Sequence, residues 1–531
     1  MGILAGDTIK SFADLGIPVV AVSLLNEKGY FYQDIDNHGN QLETVVNWNH
    51  MEHMNLAPET VDITLEGRRI TIRAWVYTVE GIRGETVPIV FLDSNVESNS
   101  TYDRTLTSYL YLGDRRYRFM QECILGIAGV RMLDALGYRN LEVYHMNEGH
   151  AGLLTLELMN RHRGDLEKVR SLCVFTTHTP VEAGHDAFDV EMAGRVLEGF
   201  ADVTTLNHHN IIDKYGLLNM TYLALYHSKY VNGVAKMHGE VAQKMFPAYT
   251  IDAITNGIHT ASWVADPMAE VFDKYIPPWR NDPYTLRNAL KIPRDEIGKA
   301  HEVSKKALID FVNYHYRIGM DYEALTIGFA RRAAEYKRAT LMFSDVDRLR
   351  SIVDEVGKIQ VIFAGKAHPN DENGKEMIRR VYAGIDSLKG SVKMVYLKNY
   401  EIYTAKLLIS GCDLWLNTPR RPLEASGTSG MKAAVNGVIN FSVLDGWWLE
   451  GHIEGLTGWS IGPRPLDVEL ETDESTDVED LYSKLEARIL PTYYGNQEWW
   501  HEMMAYNIAL NGSFFNTHRM VSQYVMQAYF Q

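Results

Sequence analysis

The chain has 531 residues, 46% of them hydrophobic and 23% charged, which is ample for one large or two medium domains with real cores and argues against disorder. Its formal net charge of −16 argues against general binding to nucleic acid or to an anionic membrane, so any anion site must be local. Cys123, Cys173 and Cys412 lie far apart inside apolar runs and read as buried free thiols suited to a reducing cytosol.

The opening MGILAGDTIK places Asp7 where a signal peptide needs an apolar run, and Gly6 fails the myristoylation pattern. Runs such as IPVVAVSLL fall well short of the roughly 20 residues of a membrane span. A soluble, cytoplasmic chain is expected.

Short β-rich runs follow between longer amphipathic segments: IPVVAVSLL, LEVYHMN, LCVFTTHT and YTIDAITNG, then ALTIGFARR, IQVIFAGKA, VKMVYLKN, CDLWLNTP and GVINFSV. This alternation predicts an α/β protein with doubly wound parallel sheets. Many runs end in a polar cluster: His145 to His150, Thr177 to Pro180, Asn256, Arg331 to Lys337, Lys366 to Asn370 and Asn417 to Arg421. Ligands of open α/β sheets bind outside the carboxyl ends of the strands, so these clusters are expected to face one cleft. After Trp263 the segment ADPMAEVFDKYIPPWRNDPYT carries several prolines and no strand pattern, which puts the domain junction there. The acidic DVELETDESTDVEDLYSKLEARI reads as a solvated loop and helix start, and RMVSQYVMQAYF as a final aromatic helix.

Two segments point to anions. In TIGFARRAAEYKR a strand ends near Ala330, and Arg331, Arg332, Lys337 and Arg338 follow. On a continuous helix Arg332 and Lys337 would lie about 140 degrees apart, so they converge only if a turn occupies part of that interval. In EASGTSGMKAAVNG a Gly/Ser/Thr turn, Gly427 to Gly430, leads into an alanine-rich helix with Lys432 at its mouth, where a lone cation is mildly unfavourable. Two cradles imply either one diphosphate, as in a nucleotide-sugar transferase, or two separate phosphates, one carried by a cofactor. A lysine held near phosphate and flanked by aromatics meets the requirement of a pyridoxal phosphate Schiff base.

EASGTSGMKAAVNG, RRAAEYKR, TNGIHTASW, HMNEGHAGLLTLEL, TTHTP and VNGVAKMHGE together resemble the motifs of the α-glucan (glycogen and maltodextrin) phosphorylases, and FNTHRMV resembles their short bacterial and archaeal branch. The motifs run in matching order from Gly2 to the end. The resemblance implies two Rossmann-like domains facing a cleft, the glycosyltransferase-B arrangement: residues 1–264 binding glucan, residues 265–505 carrying the pyridoxal phosphate and phosphate sites, and residues 506–531 as a helix crossing back to the first domain. The chain begins inside the GGLG-type loop of that family, so the N-terminal strand and Gly-rich loop are expected to be missing, leaving a truncated glucan-binding pseudoenzyme as one alternative.

Carried over by resemblance, Lys432 becomes the Schiff-base lysine. Arg331, Thr428 and the turn through Gly430 would hold the cofactor phosphate, with Trp263 and Tyr400 against its ring. Arg332 and Lys337 would hold the substrate phosphate. Asn256, Glu424, Ser426 and Gly427 would bind the glucosyl hydroxyls, as would His178, whose main-chain carbonyl faces the developing cation. Glu148 and His150 match a cleft segment near the sugar. The implied partners are α-1,4-glucan and inorganic phosphate, with a possible homo-oligomer and no nucleic acid or membrane. Such a site needs no pair of catalytic carboxylates, because phosphate acts as acid and as nucleophile.

His145, His150, His178, His185, His208 and His209 follow no CxxC or HExxH pattern, and no metal site is expected. The pairs Trp447–Trp448 and Trp499–Trp500 could be carbohydrate platforms or buried packing. Ala334 and Gly430 stand where the animal and plant branch has His and Asn.

Overall fold

Runs with the pattern of buried strands pair side by side in parallel. The computed structural model describes residues 2–110, 114–207, 209–465 and 474–530, the side chains of 183, 204 and 205 excepted. His208 and the first part of the acidic segment, 467–473, therefore lie outside the described residues, as do Met1 and Gln531.

The first half contains β1 (Ala21–Leu24), β2 (Phe31–Ile35), β3 (Gln41–Val45), β4 (Asn55–Leu65), β5 (Arg68–Glu80), β6 (Thr86–Asp93), β7 (Tyr144–Asn147), β8 (Cys173–Thr176), β9 (Ala187–Asp189), β10 (Leu217–Asn219), β11 (Tyr230–Gly233) and β12 (Asp252–Ala253). The second half contains β13 (Leu325–Ala330), β14 (Ile359–Ala364), β15 (Lys393–Leu397), β16 (Leu414–Asn417), β17 (Ile439–Val443) and β18 (Gly458–Ile461).

β12, β11, β8 and β7 form one parallel sheet. The second half forms a six-stranded parallel sheet in the order β15-β14-β13-β16-β17-β18. Its strands are buried along their length apart from Lys393, as expected of sheets covered on both faces. The strand order reverses between β13 and β16, and the crevice at such a switch point is where open α/β sheets take ligands. Arg331 follows β13 directly, and its N–H bonds Ala364 O at 3.1 Å. The Thr418 to Gly430 segment follows β16.

Besides the antiparallel pairs β2–β3 and β9–β10, one four-stranded sheet differs in kind from the buried parallel pattern. β1 lies parallel to β6, and β6, β5 and β4 run antiparallel. Here Ile63, Leu65, Ile70, Ile72 and Ala74 face the core while Arg69 and neighbouring polar residues alternate outward, the signature of a sheet wet on one side. Buried apolar residues from Ile63 to Leu223 gather around this sheet and the helices on it. A separate core runs from Ile258 to Phe515, joined by Ile35.

Two segments tie the halves together. The β2–β3 hairpin lies on the carboxyl ends of β14 and β15: Gln33 Nε2 donates to Gly365 O at 2.8 Å, Gln41 Nε2 to Ala367 O at 3.0 Å, and Asn399 N to Gln33 Oε1 at 3.0 Å. The last helix, Thr517–Tyr524, and the turn after it return to the first half. There Tyr524 OH lies 3.2 Å from Thr176 Oγ1, and Tyr529 OH 2.8 Å from His145 Nδ1.

The acidic segment is not simply a solvated face. Its described part begins the helix Glu474–Lys484, and Asp477 is buried against Arg338 at 2.6 Å and Arg421 at 2.5 Å. Two guanidiniums recovered a carboxylate that charge-run reasoning assigns to water. Trp447, Trp448 and Trp500 are buried, which selects packing over a carbohydrate platform for them; Trp499 is 39% exposed. Cys123, Cys173 and Cys412 are buried free thiols. Among the described residues no helix is long and apolar enough to cross a membrane.

Candidate functional site

After β13 the chain leaves the sheet without continuing as a helix. It stays irregular until the single 3-10 turn Glu335–Lys337, and this interval lets the cations converge. Arg331, Arg332 and Lys337 line one small cavity together with Ala333, Ala334 and Tyr396. Arg331 Nη2 bonds Glu424 Oε2 at 2.7 Å, and Lys337 Nζ bonds the same oxygen. Arg332 is exposed at the cavity mouth. Arg338 turns away and is consumed by Asp477 and the carbonyls of Thr418 and Pro419.

Burial and the neighbouring Arg331 push the Lys337 ammonium down to about 7, against the pull of Glu424. Glu424 itself is held below the usual carboxylate range by Arg331 and Lys337, which outweigh its burial. Its N–H donates to Asp445 Oδ2 at 2.9 Å, and burial pushes the Asp445 carboxyl up to about 7. Asp445 is absent from the sequence-derived set. It stands just beyond the carboxyl end of β17, the position that flagged the other polar clusters.

The Gly427 to Gly430 turn leads into a seven-residue helix, Ser429–Val435, with Lys432 at its middle. Gly427 has φ +82, a conformation that favours glycine, and a Cβ there would come within 3.3 Å of Glu424 Oε1. At Gly430 a Cβ would fall 2.5 Å from Asn440 Oδ1 and 2.8 Å from the Trp447 ring, so the indole occupies space that a side chain at position 430 would need. Gly430→Ala is expected to cost about 1–3 kcal/mol by overpacking, read as a lowered midpoint in thermal unfolding.

The Lys432 amine lies 4.0 Å from the centre of the Trp263 ring. Burial pushes it down to about 8, with Asp7 opposing the shift. Asn436 Nδ2 donates to both Trp263 O and Lys432 O at 2.9 Å, fixing the two backbones to each other. Tyr400 lies close enough to Arg331 to feel its charge, although burial dominates and raises the phenol.

The residue set fits an anionic group held beside a lysine. Arg331 Nη1 and Ser426 Oγ are buried polar atoms with no protein partner, and both call for a ligand acceptor or donor. Thr428 makes no side-chain cap bond at the start of the helix, so its hydroxyl is not committed there.

His178, Glu148 and His150 form a second cluster, at the carboxyl ends of β7 and β8. Glu148 has φ +81 and ψ 163, costly for a residue with a side chain, by about 1–3 kcal/mol. Its carboxylate offsets that strain by accepting from His178 N at 2.8 Å, Thr179 Oγ1 at 3.0 Å and Gly149 N at 2.9 Å. His178 Nε2 meets Asn147 Oδ1 at 2.5 Å, and burial lowers the imidazole. Burial and then Arg118 lower His150 as well. Asn256 is buried after β12, and Arg519 Nη2 donates to its carbonyl at 3.0 Å. Among the described residues no hydrogen bond or ion pair joins this cluster to the Arg331–Lys337–Glu424 group.

A parallel sheet whose switch point gathers Arg331 and Lys337 on Glu424 defines an α/β protein with a local cluster of cations, and sequence comparison gives its family. The sequence model described as carbohydrate phosphorylase matches residues 145–454. The chain belongs to that family, the α-glucan phosphorylases. It is 39% identical to the maltodextrin phosphorylase of Thermococcus litoralis, over all of this chain and 68% of that one. It is 32% identical to the glycogen phosphorylase of Aquifex aeolicus, over all of this chain and 83% of that one. An uncharacterized protein of Methanocaldococcus jannaschii is 30% identical, over all of this chain and 95% of that one.

Proposed function

We propose that this chain catalyses the reversible phosphorolysis of α-1,4-glucan to α-glucose 1-phosphate, with retention, in the cytoplasm and with pyridoxal phosphate on Lys432. The supporting observation is the convergence of Arg331 and Lys337 on Glu424, on the same segment after β16 that carries Lys432 against the Trp263 ring. The halves, taken as 1–264 and 265–505 with 506–531 crossing back, act as two Rossmann-like domains of the glycosyltransferase-B kind about one cleft.

When bound, pyridoxal phosphate supplies a second phosphate that titrates near neutrality and can exchange a proton with the substrate phosphate. Arg331, Thr428 and the Gly427 to Gly430 turn hold that phosphate, and Trp263 and Tyr400 hold the ring. Arg332 and Lys337 orient inorganic phosphate, whose acid proton goes to the leaving glycosidic oxygen and whose oxygen then bonds the same face of the sugar. Asn256, Glu424, Ser426 and Gly427 hold the glucosyl hydroxyls. His178 presents its carbonyl to the developing positive charge, and Glu148 fixes that backbone by accepting its N–H. Closure of the cleft excludes water, which keeps transfer to phosphate ahead of hydrolysis.

The test is absorbance between about 330 and 430 nm before and after borohydride, with peptide mapping to Lys432 and assay of glucose 1-phosphate from maltodextrin. No chromophore together with binding of a nucleoside diphosphate would instead select a nucleotide-sugar transferase.

A pH dependence follows from Lys337. Its folded value lies far below that of a free lysine, so the charge that binds phosphate is present below about 7 and is lost above it. The KM for phosphate is expected to rise with pH above about 7 in the wild type. Lys337→Arg keeps its charge and should flatten this limb.

A further inference from the structure

The N-terminal helix Ile3–Asp14 carries Asp7, Lys10 and Asp14 at spacings of three and four, which puts them on one face. All three engage the short segment that ends in Trp263. Asp7 Oδ2 accepts from Trp263 Nε1 at 2.7 Å, Lys10 Nζ donates to Ser262 Oγ at 2.7 Å, and Asp14 Oδ2 meets His259 Nε2 at 2.7 Å. Ser262 Oγ in turn lies 2.7 Å from His259 Nδ1.

Asp7 and Trp263 are each only 5% exposed. The indole therefore has a carboxylate on its N–H edge and the Lys432 amine over its face, 4.0 Å from the ring centre. A buried carboxylate and a half-buried amine each need compensation. The other nearby acids are committed. Asp14 takes His259, His518 at 2.9 Å and the Ile82 N–H at 2.8 Å, while Glu424 takes Arg331 and Lys337. Asp7 is the carboxylate left to balance Lys432.

We propose that Asp7 is a positioning residue for Lys432: anchored on the Trp263 indole, its carboxylate supplies the counter-charge that keeps the amine on the ring face, ready for the cofactor. The inference deepens the assignment of Lys432 as the cofactor lysine and rests on it. The titratable groups facing the pair are His259, which lies against Asp7 from the segment that ends in Trp263, and Lys432 and Asp7 themselves. The two partners act on each other in the sense required, Asp7 raising the amine and Lys432 lowering the carboxyl, while burial opposes both.

The test reads the amine directly. The full chain freed of cofactor is treated with trinitrobenzenesulfonate across pH 6 to 10, and labelling of Lys432 is quantified by peptide mapping. Asp7→Asn is expected to move the labelling midpoint down by about one pH unit, roughly a fivefold faster reaction at pH 7, with Asp7→Glu close to wild type. Trp263→Phe keeps the ring but removes the N–H that anchors Asp7, and should shift the midpoint in the same direction if Asp7→Asn does not fold. An unchanged midpoint in a folded Asp7→Asn chain, or in folded Trp263→Phe where Asp7→Asn does not fold, overturns the proposal. Uptake of pyridoxal 5′-phosphate by the wild type is followed separately by absorbance. If uptake fails, the cofactor assignment falls, whereas an unmoved midpoint with normal uptake defeats only the role of Asp7.

Discussion

Lys432→Ala is expected to lose the cofactor absorbance and to reduce glucose 1-phosphate release on the order of a thousandfold or more, while leaving the fold intact. Among the described residues no ion pair holds the lysine; the Trp263 indole presents its face to the amine and its N–H edge to Asp7. Removal of the lysine therefore breaks no ion pair at contact distance, and the desolvation cost of the ammonium that it relieves is set against the loss of the counter-charge of Asp7. The pH dependence of stability checks this. Because the folded amine is pushed down to about 8, the unfolded chain binds more protons above that pH. The cost of burying the charge is present below about 8 and disappears as pH rises towards the ordinary lysine range, so this group makes the cofactor-free wild type gain stability in that window. Lys432→Ala should lack that gain when unfolding midpoints at pH 8 and pH 10 are compared.

Asp413→Ala is expected to destabilise by about 3–5 kcal/mol, because it strands a buried lysine. Asp413 follows Cys412 just before β16, with one oxygen on His301 at 3.0 Å and the other on Lys305 at 2.7 Å and on the Thr326 N–H at 2.8 Å. Lys305 also donates to Ala324 O and to the Tyr493 hydroxyl, so the group joins a long helix, two strands and the C-terminal helices. Denaturant unfolding should show a lower midpoint at an unchanged slope. The contribution has a definite sign with pH: the folded carboxyl is held below its ordinary value despite its burial, so its stabilisation is present above the unfolded pKa near 4 and is lost as pH falls. Lys305→Met combined with Asp413→Ala should cost less than Asp413→Ala alone, since no buried charge is then left unpaired.

The parts of the molecule that announce themselves in the sequence obey local rules. β13, β14, β16 and β17 are continuous apolar runs, and Arg331 lies where a polar residue at the end of such a run should. Gly427 and Lys432 stand out because glycine and lysine are unusual beside a short alanine-rich helix. Pairing with a distant segment leaves no such mark. Asp477 looks like any member of an acidic run, and Arg338 like any member of a basic one, until they meet across 139 positions. Asp7 looks like a surface carboxylate, yet it meets Trp263 across 256 positions. β4 and β5 do alternate visibly, but the continuous runs of parallel strands draw the eye to a different pattern. The irregular path from Arg331 to Lys337 was legible only as a condition for convergence; the single 3-10 turn that meets the condition depends on tertiary packing.

The return of the last helix has a consequence for how the protein comes into being on the ribosome. Arg519 holds the carbonyl of Asn256, His518 holds Asp14, and Tyr524 and Tyr529 meet Thr176 and His145. Chains are made from the amino end, and domains generally fold as they emerge. The first half can thus assemble its sheets before residues 517–530 are made, but the strand ends at Thr176 and His145 lack these supports until that segment has cleared the exit tunnel.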